Sequence, residues 1–247
     1  MKIMSINLCC WGSDNLSVAN RKERVKCIVE KYKPELIGVQ EATTYWMQYL
    51  KNNLTDYFCV GIGRDENGTG EAMAIFYNKN VFDLKESKTF WLSETPDVVS
   101  KGWDGNCKRT CTKAILVRLS DGKEFIYFNT HLDHVGTKAQ LEGVKLINKE
   151  IEKYSESPVI LTGDFNVKPS SEAYKNVILK DTRVLTNYSE NIGTWHNFGK
   201  ISDADAPIID YCFINDNITA LSYKVITDKV YGEFVTDHYP VLVETAD

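Results

Sequence analysis

Short apolar runs with strand-like periodicity and longer stretches with 3.6-residue periodicity take turns along this chain. Residues 2–9 read as a strand. Residues 20–33 place Val25, Ile28, Val29 and Tyr32 on one face of a helix, which Pro34 stops. Leu36-Ile37-Gly38-Val39 is a continuous apolar run, the mark of a buried strand, and it ends at Gln40-Glu41. Residues 44–54 predict a second helix. Strands follow at 57–61 and 72–77, on either side of a polar, glycine-bearing loop at 63–70. Residues 81–91 are strand-like and 92–108 irregular. Residues 114–119 and 125–130 form a hairpin around Asp121-Gly122. Residues 137–154 predict a helix with Val144, Ile147, Ile151 and Tyr154 in register. An apolar strand at 158–162, a short helix at 170–179 and late strands at 208–214, 220–227 and 241–244 complete the chain. Strands and helices interleave, yet some strands are joined as hairpins. That mixture predicts an α/β layered domain of mixed sheets with helices outside. No repeat or linker interrupts it, so one domain is expected over residues 1–247.

Composition narrows the classes. The chain has 247 residues, 43% of them hydrophobic and 26% charged, ordinary for a globular protein with a sizeable core. A net charge of −5 and a pI of about 5.5 argue against gripping long nucleic acid through a basic face. Seven cysteines without a CxxC pair read as reduced, packed thiols, which favours a cytoplasmic location. No stretch is apolar enough to span a membrane, and the first residues read as a strand rather than a signal.

Polar groups collect where the apolar runs end. They are Asn7, Gln40-Glu41, Glu71, His131, Asp164-Phe165-Asn166, Asp210-Tyr211 and Asp237-His238. A carboxylate and a carboxamide oxygen, Glu41 with Asn7, suit Mg²⁺, which prefers a few protein oxygens and keeps several waters. Each also has an ordinary role, as a helix-start acid or a strand-end turn. Asp164 and Asn166 fall on one side if the chain stays extended, so that Asp164 holds a water and Asn166 a phosphate oxygen; an Asx turn is the alternative. Asp237 and His238 point in different directions along an extended chain. Asp237 can complete a metal site while His238, steadied by Asp210, donates to a phosphoryl oxygen. His131 ends a strand and can meet a phosphate oxygen, with Glu71 fixing its tautomer. His131 and His134, three apart, invite a zinc reading that the lack of a nearby cysteine and of helical spacing disfavours. Arg64 can clamp a phosphate, and Trp91, Trp103 or Trp195 can stack on a base or sugar; simple packing competes for each.

This ordered set resembles the endonuclease/exonuclease/phosphatase superfamily, the group of DNase-like metal-dependent phosphoesterases, in a bacterial branch. The resemblance rests on Gln40-Glu41, Asp164-Phe165-Asn166, Asp210-Tyr211 and Asp237-His238, and runs from Asn7 to Pro240. It implies a four-layer α/β/β/α sandwich with two packed mixed sheets flanked by helices. It implies Mg²⁺, with Mn²⁺ as the alternative, on Glu41 with Asn7 and Asp237 near. It also implies Asp164 as general base, Asn166 and His131 on phosphate, His238 oriented by Asp210, and Glu71 supporting His131. The segment Thr194-Trp195-His196-Asn197-Phe198 lies on the substrate side in relatives, so Trp195 and His196 join Arg64 as expected substrate contacts. Cys9 stands where several nucleases carry an acid, which argues against a second metal there.

The expected activity is hydrolysis of a phosphodiester by in-line attack of an activated water. The substrate would be nucleic acid, a nucleotide or a small phosphodiester, and the enzyme a monomer acting off the membrane. The alternative is a phosphomonoesterase, or a hydrolase of phospholipid or inositol-phosphate headgroups, on the same site. A glycoside hydrolase built on Glu41 and Asp164 would need no metal and would leave His131, Asn166 and His238 without a purpose. A non-catalytic binding module should have lost a central residue, and none is missing.

Overall fold

The computed structural model describes residues 1–246. Two six-stranded sheets stack face to face. The first is built from β1 (Lys2–Asn7), β2 (Leu36–Ala42), β3 (Tyr57–Val60), β4 (Ala72–Asn78), β11 (Thr219–Val225) and β12 (Val241–Ala246), in the order β11-β12-β1-β2-β4-β3. The second contains β5 (Phe82–Trp91), β6 (Thr110–Arg118), β7 (Glu124–His131), β8 (Val159–Asp164), β9 (Lys180–Asp181) and β10 (Asp210–Ile214), in the order β5-β6-β7-β8-β10-β9. Each sheet has one parallel pair, β1 with β2 and β7 with β8, and is otherwise antiparallel. Helices α1 (Val18–Tyr32) and α2 (Thr44–Asn53) lie outside the first sheet, and α3 (Thr137–Ile151) outside the second.

Continuous apolar runs follow from this layering, because a central strand buries both faces. In β1, Ile3 faces the other sheet and Met4 faces α1 and α2; in β2, Leu36 and Ile37 divide the same way. Three apolar layers result. Trp46 and Val25 belong to the first, Phe125 and Tyr127 to the layer between the sheets, and Phe128, Val144 and Ile147 to the layer under α3. This is the expected four-layer sandwich.

A fully buried polar side chain, Asn129 of β7, crosses between the sheets. Its amide donates to the carbonyls of Val39 (2.8 Å) and Ala74 (2.9 Å), both in the first sheet. Its oxygen accepts from Gln40 Nε2 (2.7 Å) and Thr162 Oγ1 (3.1 Å), so its hydrogen-bonding capacity is filled. Gly38 makes this possible. A Cβ there would sit 2.6 Å from Asn129 Oδ1 and 2.2 Å from Thr162 Oγ1.

Most boundaries agree within a few residues. β1 stops at Asn7 rather than continuing to residue 9, because Cys9 turns left-handed at φ 55°. β6 begins at Thr110, four residues before the expected 114, where Thr110 pairs with Trp91. The helix expected at 170–179 is the single turn α4 (Glu172–Lys175), and the next turn of helix is α5 (Thr182–Leu185). No helix among the described residues is long and apolar enough to cross a membrane.

Candidate active site

Strand register assembles one half of the site. His131, the last residue of β7, stands opposite Asp164, the last of β8, and Asp164 stands opposite Asp210, the first of β10. The three side chains therefore form a row at one end of the second sheet. The first sheet supplies Asn7 and Glu41 from the corresponding ends of β1 and β2. Asp237 and His238 come from the segment entering β12.

Local structure fixes each group. Asp164 Oδ1 accepts from the backbone N–H of Asn166 (2.9 Å), and Asn166 is left-handed at φ 52°. The turn alternative is therefore the correct one. Asn166 still reaches the site because the turn swings its amide to His131 Nε2 (2.9 Å). The Tyr211 hydroxyl clamps this turn by donating to the Val167 and Ile208 carbonyls. Glu41 is also left-handed, at φ 54°, an uncommon conformation that surrounding structure must hold. The hold is visible: Glu41 Oε2 accepts from Cys10 N–H (2.7 Å) and Oε1 from Asn7 Nδ2 (3.1 Å). Thr194 Oγ1 accepts from the N–H groups of Ile209 and Asp210, steadying the start of β10.

The charges are arranged by burial and by neighbours. His238 Nδ1 lies 2.8 Å from Asp210 Oδ2; burial opposes its charge, but Asp210 overcomes that and pushes the imidazole up to about 10. His238 Nε2 is 3.8 Å from Asp164 Oδ2. Burial raises Asp164 to about 7, helped by the charge of Asp210 and opposed by His238. Burial holds His131 well below its ordinary value, reinforced by Arg109 and His238, so it is neutral. Burial would raise Glu41, yet its hydrogen bonds from Cys10 and Asn7 keep it below the usual carboxylate value. Burial raises Asp237. Asp237 faces away from its neighbour: His238 turns to Asp210, while Asp237 lies near Glu41 and Cys9.

Asp237 Oδ1 is buried with no hydrogen-bond partner among the described residues. A buried carboxylate oxygen left open beside Glu41 is what a hard divalent cation requires, and the donor set is oxygen throughout. The residues fit such an ion. Asn7 takes a different place from the expected one. Its oxygen accepts from Cys9 N–H (2.9 Å), and its amide donates to Glu41 and to Asp164 Oδ2 (2.9 Å), bridging the two carboxylates rather than offering an oxygen to a metal.

Two further expectations are corrected. Glu71 does not hydrogen-bond His131. It pairs with Arg64 Nη2 at 2.7 Å, since a partly buried carboxylate is better satisfied by a guanidinium than by a neutral imidazole. His131 Nδ1 has no partner among the described residues. His196 is fully buried, stacked on Tyr239 with ring centroids 3.9 Å apart, and its Nδ1 accepts from Gly199 N–H. It supports the wall and does not face the cleft. The second acidic cluster, Asp133 with Cys107 and His134, is a backbone hub: Asp133 accepts from the N–H groups of Asn106, Cys107, Val135 and Gly136.

Glu41, His131, Asp164, Asn166, Asp237 and His238 line a cleft of about 620 Å³, with Arg64 and Trp195 also among its walls. Trp11, Lys168 and Arg109 are among the wall residues that were not legible beforehand. Trp11 follows the site turn, Lys168 follows the Asn166 turn, and Arg109 immediately precedes β6. Reading the start of β6 correctly would have exposed Arg109 as a strand-end cation.

The buried Asp164, the His238–Asp210 pair, the open Asp237 oxygen beside Glu41 and the cationic side chains of the cleft stand together on a four-layer sandwich, an arrangement suited to phosphoester hydrolysis. The sequence profile of the Endonuclease/Exonuclease/phosphatase family matches residues 6–238, and the chain belongs to that family. Metal dependence is typical of its members. The chain is 32% identical to a mannosyl-6-phosphatase of Bacteroides thetaiotaomicron, covering 100% of both chains with a TM-score of 0.93. It is also 32% identical to another endonuclease/exonuclease/phosphatase family protein of that organism, over 99% of this chain and 97% of the other, with a TM-score of 0.92. TDP2 of D. rerio, complexed with a single-stranded DNA product, shares the fold at 18% identity and a TM-score of 0.80, over 100% and 99% of the two chains.

Proposed function

We propose that the enzyme is a Mg²⁺-dependent phosphomonoesterase acting on a small phosphorylated sugar. The observation that carries this reading is Arg109. The residue is buried in the cleft wall, 6% exposed, and its Nε and Nη1 have no hydrogen-bond acceptor among the described residues. Its Nη2 approaches only His134 Nδ1 (3.2 Å), and Asp133 stands 4.0 Å from Nε. A buried guanidinium without acceptors costs stability unless an anion arrives to take its N–H groups. Lys168 adds a second cation to the cleft, and Arg64, paired with Glu71, a third, which suits the doubly charged end of a monoester better than the single charge of a diester. The cleft volume is that of a small-molecule site rather than a polymer track. The mannosyl-6-phosphatase relative supports the same substrate class.

In this reading Glu41 and Asp237 would hold the ion, with Asn7 keeping Glu41 and Asp164 apart. The bound ion would neutralise charge developing on the phosphoryl oxygens. Asp164 takes the proton of the attacking water. The new P–O bond forms opposite the leaving sugar oxygen, which departs as an alcohol after gaining a proton from solvent. His238, kept charged by Asp210, donates to the non-bridging oxygens, and Asn166, whose Nδ2 now meets His131 Nε2 (2.9 Å) and the Leu132 carbonyl (3.1 Å), would give up one of those bonds to do the same, each such donor contributing about 10²–10³ in rate. His131 contributes a neutral imidazole to the same wall.

The test is turnover of hexose 6-phosphates and of a small phosphodiester, with Mg²⁺, Mn²⁺ or EDTA. Metal-dependent release of phosphate from the monoester, lost in Asp164→Ala and weakened in Arg109→Met through KM, is expected. Preference for the diester would overturn the monoester reading. Turnover indifferent to EDTA would overturn the metal site.

A further inference from the structure

The segment after β1 makes an exposed indole rigid. Trp11 lines the cleft and is 51% exposed. An exposed aromatic on a loop ordinarily has a free backbone, but this one does not. Its carbonyl accepts from Arg21 Nη2 (2.9 Å), and the same fully buried guanidinium binds the carbonyls of Leu8, Cys9 and Leu16. The next residue, Gly12, has φ 131° and no room for a side chain: a Cβ would lie 2.1 Å from the Leu16 carbonyl oxygen. The indole meets the edge of Phe198 at 5.7 Å and 88°, and the Arg21 guanidinium lies 5.6 Å from the Phe198 ring centre.

Phe198 is itself held at a cost. Asn197, Phe198 and Gly199 are consecutive left-handed residues, at φ 49°, 54° and 78°. Strain in two successive non-glycine residues persists only where surrounding contacts impose it, and it collects at ligand sites. Here the contacts are His196 Nδ1 on Gly199 N–H and the Asp237 carbonyl on Asn197 N–H. Two loops are thus braced so that one aromatic ring stands fixed at the cleft rim. Among the described residues Phe198 is its only ring partner, so an indole face remains open.

We propose that Trp11 is a substrate-binding residue whose indole face receives the ring of the phosphorylated sugar while the phosphoryl group sits among Asp164, Asn166 and His238. This rests on the monoester reading above. One face of a pyranose is made largely of C–H bonds carrying slight positive charge, and an aromatic face carries negative charge. Such a platform adds the same binding to substrate and transition state, so its loss raises KM and leaves kcat in place.

The experiment compares three phosphomonoesters, a hexose 6-phosphate, glycerol phosphate and a nucleoside 5′-monophosphate, in the metal-loaded wild-type enzyme, Trp11→Ala and Trp11→Phe. The expected result is a rise of about tenfold in KM for the hexose phosphate in Trp11→Ala, with kcat and the kinetics of ringless glycerol phosphate unchanged. Trp11→Phe should keep most of the affinity. A KM for hexose phosphate that does not change in Trp11→Ala removes the platform while leaving the monoester reading intact. Equal losses on glycerol phosphate would show a structural role instead. A loss confined to the nucleotide would assign the ring to a base and overturn the proposal. A wild-type enzyme that turns over diesters and none of these monoesters would overturn the monoester reading, and the sugar platform with it.

Discussion

Replacing Arg21 should damage this protein out of proportion to one surface-helix substitution. Arg21 belongs to α1 yet has no exposed area. Its guanidinium donates to four carbonyls: Leu8 (2.6 Å), Cys9 (2.7 Å), Leu16 (2.7 Å) and Trp11 (2.9 Å). It also lies 5.6 Å from the ring centre of Trp46. Arg21→Met keeps much of the volume and removes every donor. The Cys9 carbonyl retains a second donor in Trp46 Nε1 (3.3 Å) and the Trp11 carbonyl a weak one in Cys9 Sγ (3.4 Å), whereas the Leu8 and Leu16 carbonyls lose the side chain that caps them. An acceptor left buried without its partner costs about 1–3 kcal/mol, and losses within one network do not simply add. We therefore expect about 3–5 kcal/mol of lost stability in urea unfolding, at the level of breaking a buried charged network. At roughly 2–4 °C per kcal/mol for a chain of this size, the melting temperature should fall by about 6–20 °C. Arg21→Lys should recover only part of this, because an ammonium has three donors and cannot reproduce the planar fork. A loss below about 1 kcal/mol in Arg21→Met would refute the claim that the segment depends on this side chain.

Three further outcomes are expected. His238 is raised above its ordinary 6.5 to about 10, so its contribution to stability is complete below pH 6.5 and is lost as pH rises toward 10. In EDTA the urea midpoint should decline across that window, and Asp210→Asn should remove this component of the decline; a component unchanged in the variant would contradict the pairing. Asp164 is buried and raised to about 7, so its charge at pH 8 opposes folding. Asp164→Asn in EDTA should melt at or above the wild type at pH 8 while activity in Mg²⁺ falls by about 10² or more, and a clear drop in melting temperature would count against this account. Phe165 is fully buried against Tyr211 and Phe213, and Phe165→Ala should cost about 3–5 kcal/mol by urea titration, with a cost under about 1 kcal/mol showing that the site turn does not rest on this cluster.

The sandwich was legible because central strands with two buried faces write themselves as unbroken apolar runs, as Leu36 to Val39 does. Short elements that depend on tertiary contacts were not. α4 is one turn whose cap is a single side-chain oxygen, Ser171 accepting from Tyr174 N–H, and β9 has two residues paired only with β10. Within the site, residue types at strand ends announced His131, Asp164 and Asp210, since register alone carries them together, while His238 reaches Asp210 from the segment entering β12. Partnerships were harder. Glu71 and His131 both face one cleft, but which of them Arg64 joins depends on the path of the loop at 63–70. His196 and Trp195 illustrate the same limit. They are adjacent, yet one is packed beneath Tyr239 and the other lines the cleft, a difference set by the left-handed turn after them.

Asn129 separates two kinds of change this enzyme can accept. Glu41 and Asn7 belong to one sheet, Asp164 and Asp210 to the other, and the Asn129 junction sets how those sheets stack. The spacing between the two halves of the reaction centre is therefore a property of the seam and not of any rim loop. On the reading proposed above, substrate choice resides elsewhere, in cleft side chains such as Trp11 and Arg109. Specificity can drift through the rim while the chemistry keeps its alignment. A substitution at Asn129 or Gly38 would do the reverse, detuning the reaction for every substrate alike from a position no substrate reaches.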